Sequence, residues 1–569
     1  MEYLKKFFFL IDRNKIILIG FFLLFFFSSI FEVLGISLLG GFLAYLTNFQ
    51  ISESTALGKV FYFLNSLGVE TSSINSLASF IVIILTARFF FQLIANYLIL
   101  DFTTNTTNNL RKKLISTYLN LKYLDFINKD SSSSYNELTI LTDQFSNLLH
   151  VGLKLISDLI LLLLIIIMLY LVNDVIFFAL FFIFLFLFLI NKFVFSKKIS
   201  KLGVKANDLS EKIFKNFKDG LTGFKQIKVL NKTKFIIENI SSSLKKHAKL
   251  LINYNFLLVV IRYLIEYFIA IILIFTAILI YSLNDESYAL VVVTIFGVSA
   301  LRSLPLITNL INSMNVLFYS KNAIDRLYKS INLIKNSTLP INKREIIKDF
   351  KFNSLKVNDI SFGYNNFNIL KNINLQINEK DLIFITGPSG CGKTTLLDII
   401  CGLIEPSKGS IIVNNQSSSQ IINSFADKIY YLSQKSFILN DTLEHNIAFA
   451  DNEINKHKLN IAIKMAGLEK FSQKIKDSLN RSLGEDASKI SGGEMQRIAL
   501  ARALYSEKEV LILDEFTSSL DNENENKIFE TISELNKTKT IIIVSHNLEI
   551  SKFVKKAYKI EKGELIKIK

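Results

Sequence analysis

The segment "LIFITGPSGCGKTTLLDIICGL" (residues 382–403) decides the fold of the C-terminal part of this chain. An apolar strand pattern leads into a glycine-rich turn, and a helical pattern follows it. The turn matches G-x-x-x-x-G-K-[ST] with Gly387, Gly392, Lys393 and Thr394. Backbone N–H groups of such a turn wrap phosphates, the lysine neutralises β/γ charge, and the hydroxyl is offered to Mg²⁺. The segment therefore predicts a nucleotide-binding α/β domain.

Two further strand patterns end in residues suited to phosphate chemistry. "EVLILDEFTSSLD" (509–521) ends its apolar run in Asp514 and Glu515, and "TIIIVSH" (540–546) ends in His546. Asp514 suits a Mg²⁺ shell, and Glu515 is placed to polarise an attacking water. His546 is predicted to point towards the γ-phosphate as a second catalytic group.

A second phosphate cradle is encoded in "KISGGEMQRIALARAL" (489–504). Ser491, Gly492 and Gly493 stand before a helical pattern, and the free N–H groups at a helix N-terminus attract anions. The sequence thus supplies two anion sites about a hundred residues apart.

The composition indicates a membrane protein. Half of the 569 residues are hydrophobic, 50 are Phe, and the mean hydropathy is +0.37. Long uncharged runs predict transmembrane helices, the first of them an uncleaved span. The six predicted spans are 15–47, 77–100, 150–172, 175–195, 255–282 and 288–318. The two cysteines, Cys391 and Cys401, give neither a disulfide framework nor metal-ligand spacing.

The net charge of +16 lies mainly in the membrane half, so it does not indicate a nucleic-acid partner. Residues 1–330 hold 32 Lys and Arg against 20 Asp and Glu, whereas residues 331–569 hold 33 against 29. The connection 197–254 contains 14 Lys and 4 acids. By the positive-inside rule, this side is cytoplasmic. We therefore expect a multi-pass protein of the inner or plasma membrane with both termini and the nucleotide domain in the cytoplasm.

These patterns predict a multi-domain chain. An all-α six-span transmembrane domain with long cytoplasmic helical extensions is expected at 1–330, followed by a polar linker at 331–350 and an α/β P-loop NTPase domain at 351–569. A chain of 569 residues is too long for a single hydrophobic core, so more than one domain is expected.

The C-terminal half resembles the ABC transporter family, whose motifs occur here in order. They are "FGY" with Tyr364, the phosphate loop, "YLSQ" with Gln434, "ISGGEMQR", "LILDE", "SSLD" with Asp521, and "SH". The resemblance implies ATP and Mg²⁺ as ligands and Glu515 and His546 as catalytic residues. The implied nucleotide contacts are Tyr364 (stacked on adenine), Gly387, Ser389, Gly390, Cys391, Gly392, Lys393, Thr394, Thr395, Gln434 and Asp514, with Thr394, Gln434 and Asp514 around the metal.

In this family, the second cradle comes from a partner subunit. Ser491, Gly492 and Gly493 of one copy would close over ATP bound to the other, and Asp521 would lie in an interface loop, so a homodimer is expected. The usual signature L-S-G-G-Q is changed at both ends, to Ile490 and Glu494. An acid near the γ-phosphate is expected to weaken closure slightly.

Six spans fused to one nucleotide domain resemble the exporter half-transporters. "DGLTGFKQIKVLN" (219–231) resembles their second cytoplasmic loop, which docks on the nucleotide domain. The regions 31–49 and 300–328 are similar to bacterial lipid-linked oligosaccharide flippases of the PglK kind. The resemblance implies an amphipathic, anionic, lipid-linked substrate and contact with membrane lipids. Exporters of lipid A, drugs or peptides share this architecture, and an ATP-gated channel or regulatory module is a further alternative.

Ionisable residues within the predicted spans are expensive and therefore informative. Arg88 and Arg302 have no acid three or four residues away, so we expect both to face a substrate cavity, with pairing to Glu32 or snorkelling as alternatives. Two other pairs, Lys154 with Asp158 and Arg262 with Glu266, are spaced to neutralise each other on one helix.

Overall fold

A computed structural model of the protein describes residues 2–11, 15–46, 74–172, 178, 189–283, 304–337, 347, 349–364, 367–417, 419–434, 436–449, 451, 453–476, 483, 490–516 and 522–569. The chain divides into two compact units. The first comprises Met1–Leu121 and Asp125–Thr338, and the second comprises Lys122–Leu124 and Leu339–Lys569.

The first part of the chain is built from helices. They are α1 (Glu2–Ile11), α2 (Lys15–Leu46), α3 (Ile74–Leu119), α4 (Tyr123–Ile127), α5 (Ser131–Asn136), α6 (Thr142–Val172), α7 (Ser196–Thr222), α8 (Phe224–Val229), α9 (Thr233–Leu283), α10 (304–319) and α11 (Lys321–Ser337). Short π-helical segments, Glu137–Leu141 and Asn191–Phe195, lead directly into α6 and α7.

Two of these helices are much longer than a bilayer is thick. The 46 residues of α3 span about 69 Å at 1.5 Å per residue, against about 30 Å for a hydrocarbon core. The first half of α3 is apolar, and the polar stretch "DFTTNTTNNLRKK" (101–113) follows it. Helix α9, with 51 residues, has the opposite order, polar first and apolar later. Each therefore combines one membrane crossing with one polar extension.

Four described helical stretches are long and apolar enough to cross a membrane: Ile17–Gly35, Ala78–Leu119, Ser131–Met168 and Thr233–Phe268. The predicted spans 15–47, 77–100, 150–172 and 255–282 fall on α2, α3, α6 and α9. The predicted spans 175–195 and 288–318 lie largely outside the described residues, although α10 covers the end of the second one.

Two buried clusters hold the helices of the first unit together. Phe25, Leu114, Phe145 and Ile324 are at most 1% exposed and join α2, α3, α6 and α11. A second cluster joins α6, α9 and α10 through apolar side chains such as Ile165, Ile265 and Ile311. Interdigitated side chains of this kind fix the helices against one another.

The second unit alternates strands and helices. Its elements are β1 (Ser354–Tyr364), β2 (Phe367–Asn378), β3 (Leu382–Thr386), α12 (Lys393–Ile400), β4 (Lys408–Val413), α13 (Ser419–Asp427), β5 (Ile429–Leu432), α14 (Leu443–Ala448), α15 (Lys456–Met465), α16 (Glu469–Lys476), α17 (Gly492–Tyr505), β6 (Val510–Asp514), α18 (Asn522–Leu535), β7 (Thr540–Val544), β8 (Lys556–Glu561) and β9 (Glu564–Lys567). The fold class expected from the sequence, helical membrane part followed by an α/β domain, is confirmed.

The main sheet of this unit has the order β5-β6-β7-β3-β8-β9, and its first five strands are parallel. Every residue of β6 and β7 is buried. Alternate side chains enter different cores: Leu511 and Leu513 pack on one face, and Val510 and Ile512 on the other. Because both faces are covered, these strands read as unbroken apolar runs. A smaller antiparallel sheet has the order β2-β1-β4.

Candidate functional site

Four neighbouring parallel strands place the predicted nucleotide residues at one edge of the sheet. The phosphate loop follows β3, His546 follows β7, Glu515 follows β6, and Gln434 follows β5. Ligands of open parallel sheets bind beyond the carboxyl ends of the strands. The fold therefore gathers residues separated by more than a hundred positions in sequence.

Two glycines of the phosphate loop are required by geometry. Gly392, just before α12, has φ 103°, and an added Cβ would lie 2.8 Å from side-chain atoms of Ile369 and Leu370. A Cβ at Gly387 would lie 2.6 Å from the backbone oxygen of Ile560. Only glycine accepts such a backbone without strain or collision. The loop between them contains Ser389, Gly390 and Cys391, and Thr395 is buried in α12.

Lys393 lies at the mouth of this loop with a buried side chain. Its Nζ donates hydrogen bonds to the backbone oxygens of Gly387 (2.8 Å) and Pro388 (3.1 Å). The same nitrogen is 3.3 Å from Nε2 of His546. The only long cationic side chain of the motif is thus held over the glycine turn, as binding of phosphate requires.

Glu515 joins side chains from three strand ends. One carboxylate oxygen, Oε1, is 2.9 Å from Nε2 of His546, and the other accepts a hydrogen bond from the amide of Gln434. With its proton on Nε2, the His546 ring donates to Glu515. The Glu515 side chain is 19% exposed and that of His546 is 46% exposed, so both can reach a ligand. The backbone angle φ of Glu515 is 47°, an unusual value for a residue other than glycine.

Asp514 lies deeper than Glu515. It is 5% exposed, its Oδ2 accepts a 2.8 Å hydrogen bond from the hydroxyl of Tyr431, and Thr394 hydrogen-bonds the same carboxyl group. Burial raises the pKa of Asp514, and the Tyr431 hydrogen bond opposes that rise. Carboxylate and hydroxyl oxygens that meet in this way are donors that Mg²⁺ prefers. Gln434, the third predicted metal residue, is bonded to Glu515 instead.

Sequence reasoning missed two residues of this site. Tyr431 lies three positions before Gln434 in the quoted "YLSQ", and its hydroxyl orients Asp514. Asp398 lies in the second turn of α12, where burial, with a smaller contribution from Asp514, raises its pKa to about 6. The sequence signal for both residues is a polar side chain within an otherwise apolar run. This signal does not reveal which residue each side chain contacts.

The second cradle is a capped helix N-terminus. Ser491 is the N-cap of α17, and its hydroxyl accepts from the backbone N–H of Glu494. In return, the Glu494 carboxylate accepts from the backbone N–H of Ser491 at 2.8 Å and from its hydroxyl at 2.9 Å. This is a capping box, with Gly492 and Gly493 in the first turn. It brings a negative charge to the anion-attracting end of α17.

The remaining predicted nucleotide residues are placed as follows. Tyr364 ends β1, and its ring stands edge-on to Phe362 at 5.0 Å and 88°. Asp521 lies outside the described residues, and so does Arg302 of the membrane part.

A cavity of about 560 Å³, lined by both polar and apolar side chains, lies among α2, α3, α6 and α10 of the first unit. Arg88 lines it and forms a 2.7 Å ion pair with Glu32. Arg88 thus both lines a cavity and pairs with Glu32, and the use of this cavity by a substrate stays a prediction. The pair Arg262–Glu266 is formed at 2.8 Å, whereas Lys154 and Asp158, both described and both lining the cavity, make no ion pair within 4 Å.

The fold and the site together define a P-loop nucleotide-binding unit on the same chain as membrane-spanning helices. The chain belongs to the ABC transporter family: the ABC transporter transmembrane region matches residues 17–302, and the family of the ATPase part, described as ABC transporter, matches residues 370–518. It is accordingly an integral membrane protein with an ATP-binding domain. The family resemblance seen in the sequence is confirmed.

Several known proteins are similar to parts or all of the chain. A putative export ATP-binding/permease protein of Rickettsia typhi is 33% identical over 233 residues, 41% of this chain and 37% of that protein. An ATP-dependent lipid A-core flippase of Desulfotalea psychrophila is 30% identical over 37% of each chain. The chain thus spans little more than a third of the length of these curated relatives in the alignments.

One solved structure is similar over nearly the whole length. The structure of a bacterial Atm1-family ABC exporter with ATP bound superposes with a TM-score of 0.78 at 18% identity, covering 96% of this chain and 94% of that one. At this identity the likeness shows a shared fold and no more. The similarity to flippases of the PglK kind stays a prediction.

Proposed function

We propose that this protein is an ATP-driven exporter that moves an amphipathic, lipid-linked substrate out of the cytoplasmic leaflet. The observation that carries the proposal is the joining, on one chain, of membrane-spanning helices to a site where Lys393, Glu515 and His546 meet. Because fold alone does not imply function, the proposal rests on this site and on the membrane helices to which it is joined. The charge bias of the connections supports a cytoplasmic location of both termini and of the ATPase domain.

Each residue of the nucleotide site has a proposed task. Backbone N–H groups from Gly387 to Gly392 hold phosphate oxygens, and Lys393 neutralises charge on the β- and γ-phosphates. Glu515 orients the attacking water and accepts its proton, and His546, whose Nε2 is bonded to Glu515 before ATP binds, would redirect its N–H towards the γ-phosphate. Gln434 fixes the second oxygen of Glu515 and so restricts its rotation. Tyr364 is proposed to stack on the adenine.

Thr394 and Asp514 would hold a Mg²⁺ ion. Two protein oxygens suffice, because Mg²⁺ in such sites takes its other ligands from phosphates and water. Bound Mg²⁺ would offset the charge that develops on the transferred phosphoryl group. Tyr431 keeps Asp514 in one orientation through its hydrogen bond, and Gln434 would enter the metal shell only by releasing Glu515.

The proposed working form is a homodimer with two composite ATP sites. A phosphate loop covers one side of a triphosphate, and the exposed N-terminus of α17 at Ser491 offers a second set of N–H donors. In an isologous dimer, each copy can present this helix to the nucleotide bound by the other. Asp521 is proposed to lie in the loop at that interface.

Two features favour a lipid exporter over the alternatives. The relatives named ATP-dependent lipid A-core flippases support a lipid as the transported molecule. A gated channel or regulatory module needs no rapid turnover, whereas Glu515 and His546 are both present and bonded to each other. Lipid-linked oligosaccharides and lipid A are both amphipathic lipids with charged head groups, and either fits this proposal.

The experiment is a lipid-flipping assay with the full chain in proteoliposomes. Wild-type protein should move fluorescent lipid analogues in an ATP-dependent manner, and Lys393→Ala should abolish both hydrolysis and movement. Lys464→Ala, which removes an exposed lysine of α15, is the matched control and should retain both. Hydrolysis without ATP-dependent movement of any lipid would contradict the proposed function.

A further inference from the structure

The charged groups of the membrane cavity are unequally partnered. Arg88 and Glu32 pair at 2.7 Å, with side chains only 15% and 9% exposed. At this distance, in a poorly hydrated setting, the two charges largely cancel. The charge of the Arg88 guanidinium is therefore largely neutralised, although its Nε has no acceptor among the described residues, and an anionic ligand gains less charge stabilisation from Arg88 than the sequence suggested.

Lys154 and Asp158 lie one turn apart on α6 and line the same cavity. Asp158 is 7% exposed, and its Oδ2 has no hydrogen-bond donor in the part of the chain that the structure describes. Asn309 of α10 neighbours the same carboxyl group. A buried carboxylate oxygen without a donor is costly, so an incoming N–H group would be favoured there. Among the described residues, the cavity thus presents an acid that has no ion-pair partner within 4 Å, one helical turn from a base.

We propose that this cavity binds a zwitterionic head group, a phosphate that carries a primary amine. The amine donates to Oδ2 of Asp158, and the phosphate lies against Lys154. Residues at i and i+4 have Cβ atoms about 6 Å apart, a spacing that a short chain between phosphorus and nitrogen can match. The cavity volume, about 560 Å³, suits a head group rather than a whole lipid.

The inference rests on the proposed function and narrows its substrate class to lipids whose phosphate carries a primary amine, so lipid A and lipid-linked oligosaccharides without an amine become the disfavoured substrates. An anionic head group without an amine would meet the carboxylate of Asp158 and leave Oδ2 without a donor. A cation without phosphate would leave Lys154 unpaired. A quaternary ammonium carries a positive charge but has no N–H to donate, so it should be a poorer ligand than a primary amine.

The test uses the full chain in phosphatidylcholine vesicles, whose head group lacks the N–H donor. Phosphatidylethanolamine, phosphatidic acid, or a primary-amine lipid without phosphate is added, and stimulated ATPase and flipping of fluorescent analogues are measured. We expect phosphatidylethanolamine to stimulate several-fold more than either of the other two additives. Asp158→Asn should remove that preference, while Glu266→Gln, in the exposed ion pair of α9, should keep it.

A second variant guards against misfolding of Asp158→Asn. Lys154→Gln alters an exposed side chain and should shift the preference towards the amine lipid without phosphate. Equal stimulation of wild type by phosphatidic acid, together with an unchanged response in both cavity variants, would overturn the head-group inference alone. Sustained ATPase with no movement of any lipid would instead overturn the proposed function, and the inference with it.

Discussion

Glu515 shows how much of the nucleotide site rests on one side chain. Its backbone N–H is bonded to the oxygen of Val544 at 2.8 Å, which fixes the end of β6 against β7. From that position, its two carboxylate oxygens reach His546 and Gln434. A residue whose backbone and both carboxylate oxygens are bonded is oriented before any ligand arrives. Such preorganisation stabilises a transition state.

Replacement of this carboxylate should separate binding from hydrolysis. Glu515→Gln keeps the size and the contact with Gln434 but loses the acceptor of the water's proton. We expect ATP binding to persist and kcat to fall by about 10²-fold or more. Radioactive phosphate release and nucleotide trapping would measure both. Glu534→Gln, on the exposed side of α18, should leave the rate unchanged; near-normal turnover in Glu515→Gln would remove its catalytic assignment.

Glu494 imposes a charge on the second cradle. Its carboxylate accepts a hydrogen bond from the backbone N–H of Ser491. Ser491 lies at the N-terminal end of α17, which is proposed to face the γ-phosphate. Glu494→Gln preserves an oxygen acceptor for this N–H and removes the negative charge. We expect a KM for ATP lower by a few-fold, and a larger effect at low salt because exposed charges are screened. An unchanged or higher KM at low ionic strength would argue against this electrostatic role.

At this scale, sequence alone gave the residue types but not their partners. Lys393, Asp514, Glu515 and His546 could be predicted because each follows a recognisable glycine turn or apolar strand. The pairing of Arg88 with Glu32 could not be chosen among the alternatives, since the two residues are 56 positions apart. Which side chains meet across two helices depends on how the helices pack. The distance between such side chains cannot be read from a single sequence.

Among the elements, α12 combines two conflicting demands. Its N-terminus is proposed to approach phosphate, and seven of its eight residues, Asp398 among them, are buried. Ionisation of Asp398 is opposed by burial and by Asp514, which is why its pKa is raised to about 6. Because its pKa in the unfolded chain is the lower one, this group reduces folded-state stability as pH rises from about 4 to 6.

Asp398→Asn should therefore stabilise the ATPase unit at neutral pH. The raised pKa corresponds to a gain of up to about 3 kcal/mol above pH 6, and about half of this at pH 5. Thermal unfolding of detergent-solubilised protein at pH 7.5 and pH 5 would measure the difference. Asp381→Asn, at a carboxylate that pairs with Lys556 at 2.5 Å, serves as a control and should destabilise. A gain for Asp398→Asn that is independent of pH would contradict the explanation.

Element types were more accessible to prediction than their lengths. The strand–turn–helix pattern at 382–403 gave β3 and α12 directly, because period and punctuation agree there. The spans at 77–100 and 255–282 proved to be parts of helices of 46 and 51 residues. Hydropathy shows where a helix becomes apolar, but it does not show where a polar continuation of the same helix ends. The full helix is therefore longer than the predicted span.

For the molecule as a whole, the proposed homodimer places ATP hydrolysis at sites that neither copy builds alone. The phosphate loop and the α17 N-terminus are both present in each chain, and Ser491 is bonded to its own Glu494. The proposed dimer gives each cradle a triphosphate to close on. In this proposal, the long helices would transmit the opening and closing of the two ATP sites to the membrane cavity.

The most direct measurement of this claim is the ATPase rate of purified mixed dimers. Subunits with Ser491→Arg and subunits with Lys393→Ala carry different affinity tags, and sequential purification selects dimers with one of each. Each mutant homodimer has two damaged sites, whereas a mixed dimer retains one site with an intact Lys393 and an intact Ser491. We predict about half of the wild-type rate for mixed dimers and almost none for either homodimer. Mixed dimers no more active than the homodimers would contradict the composite-site account.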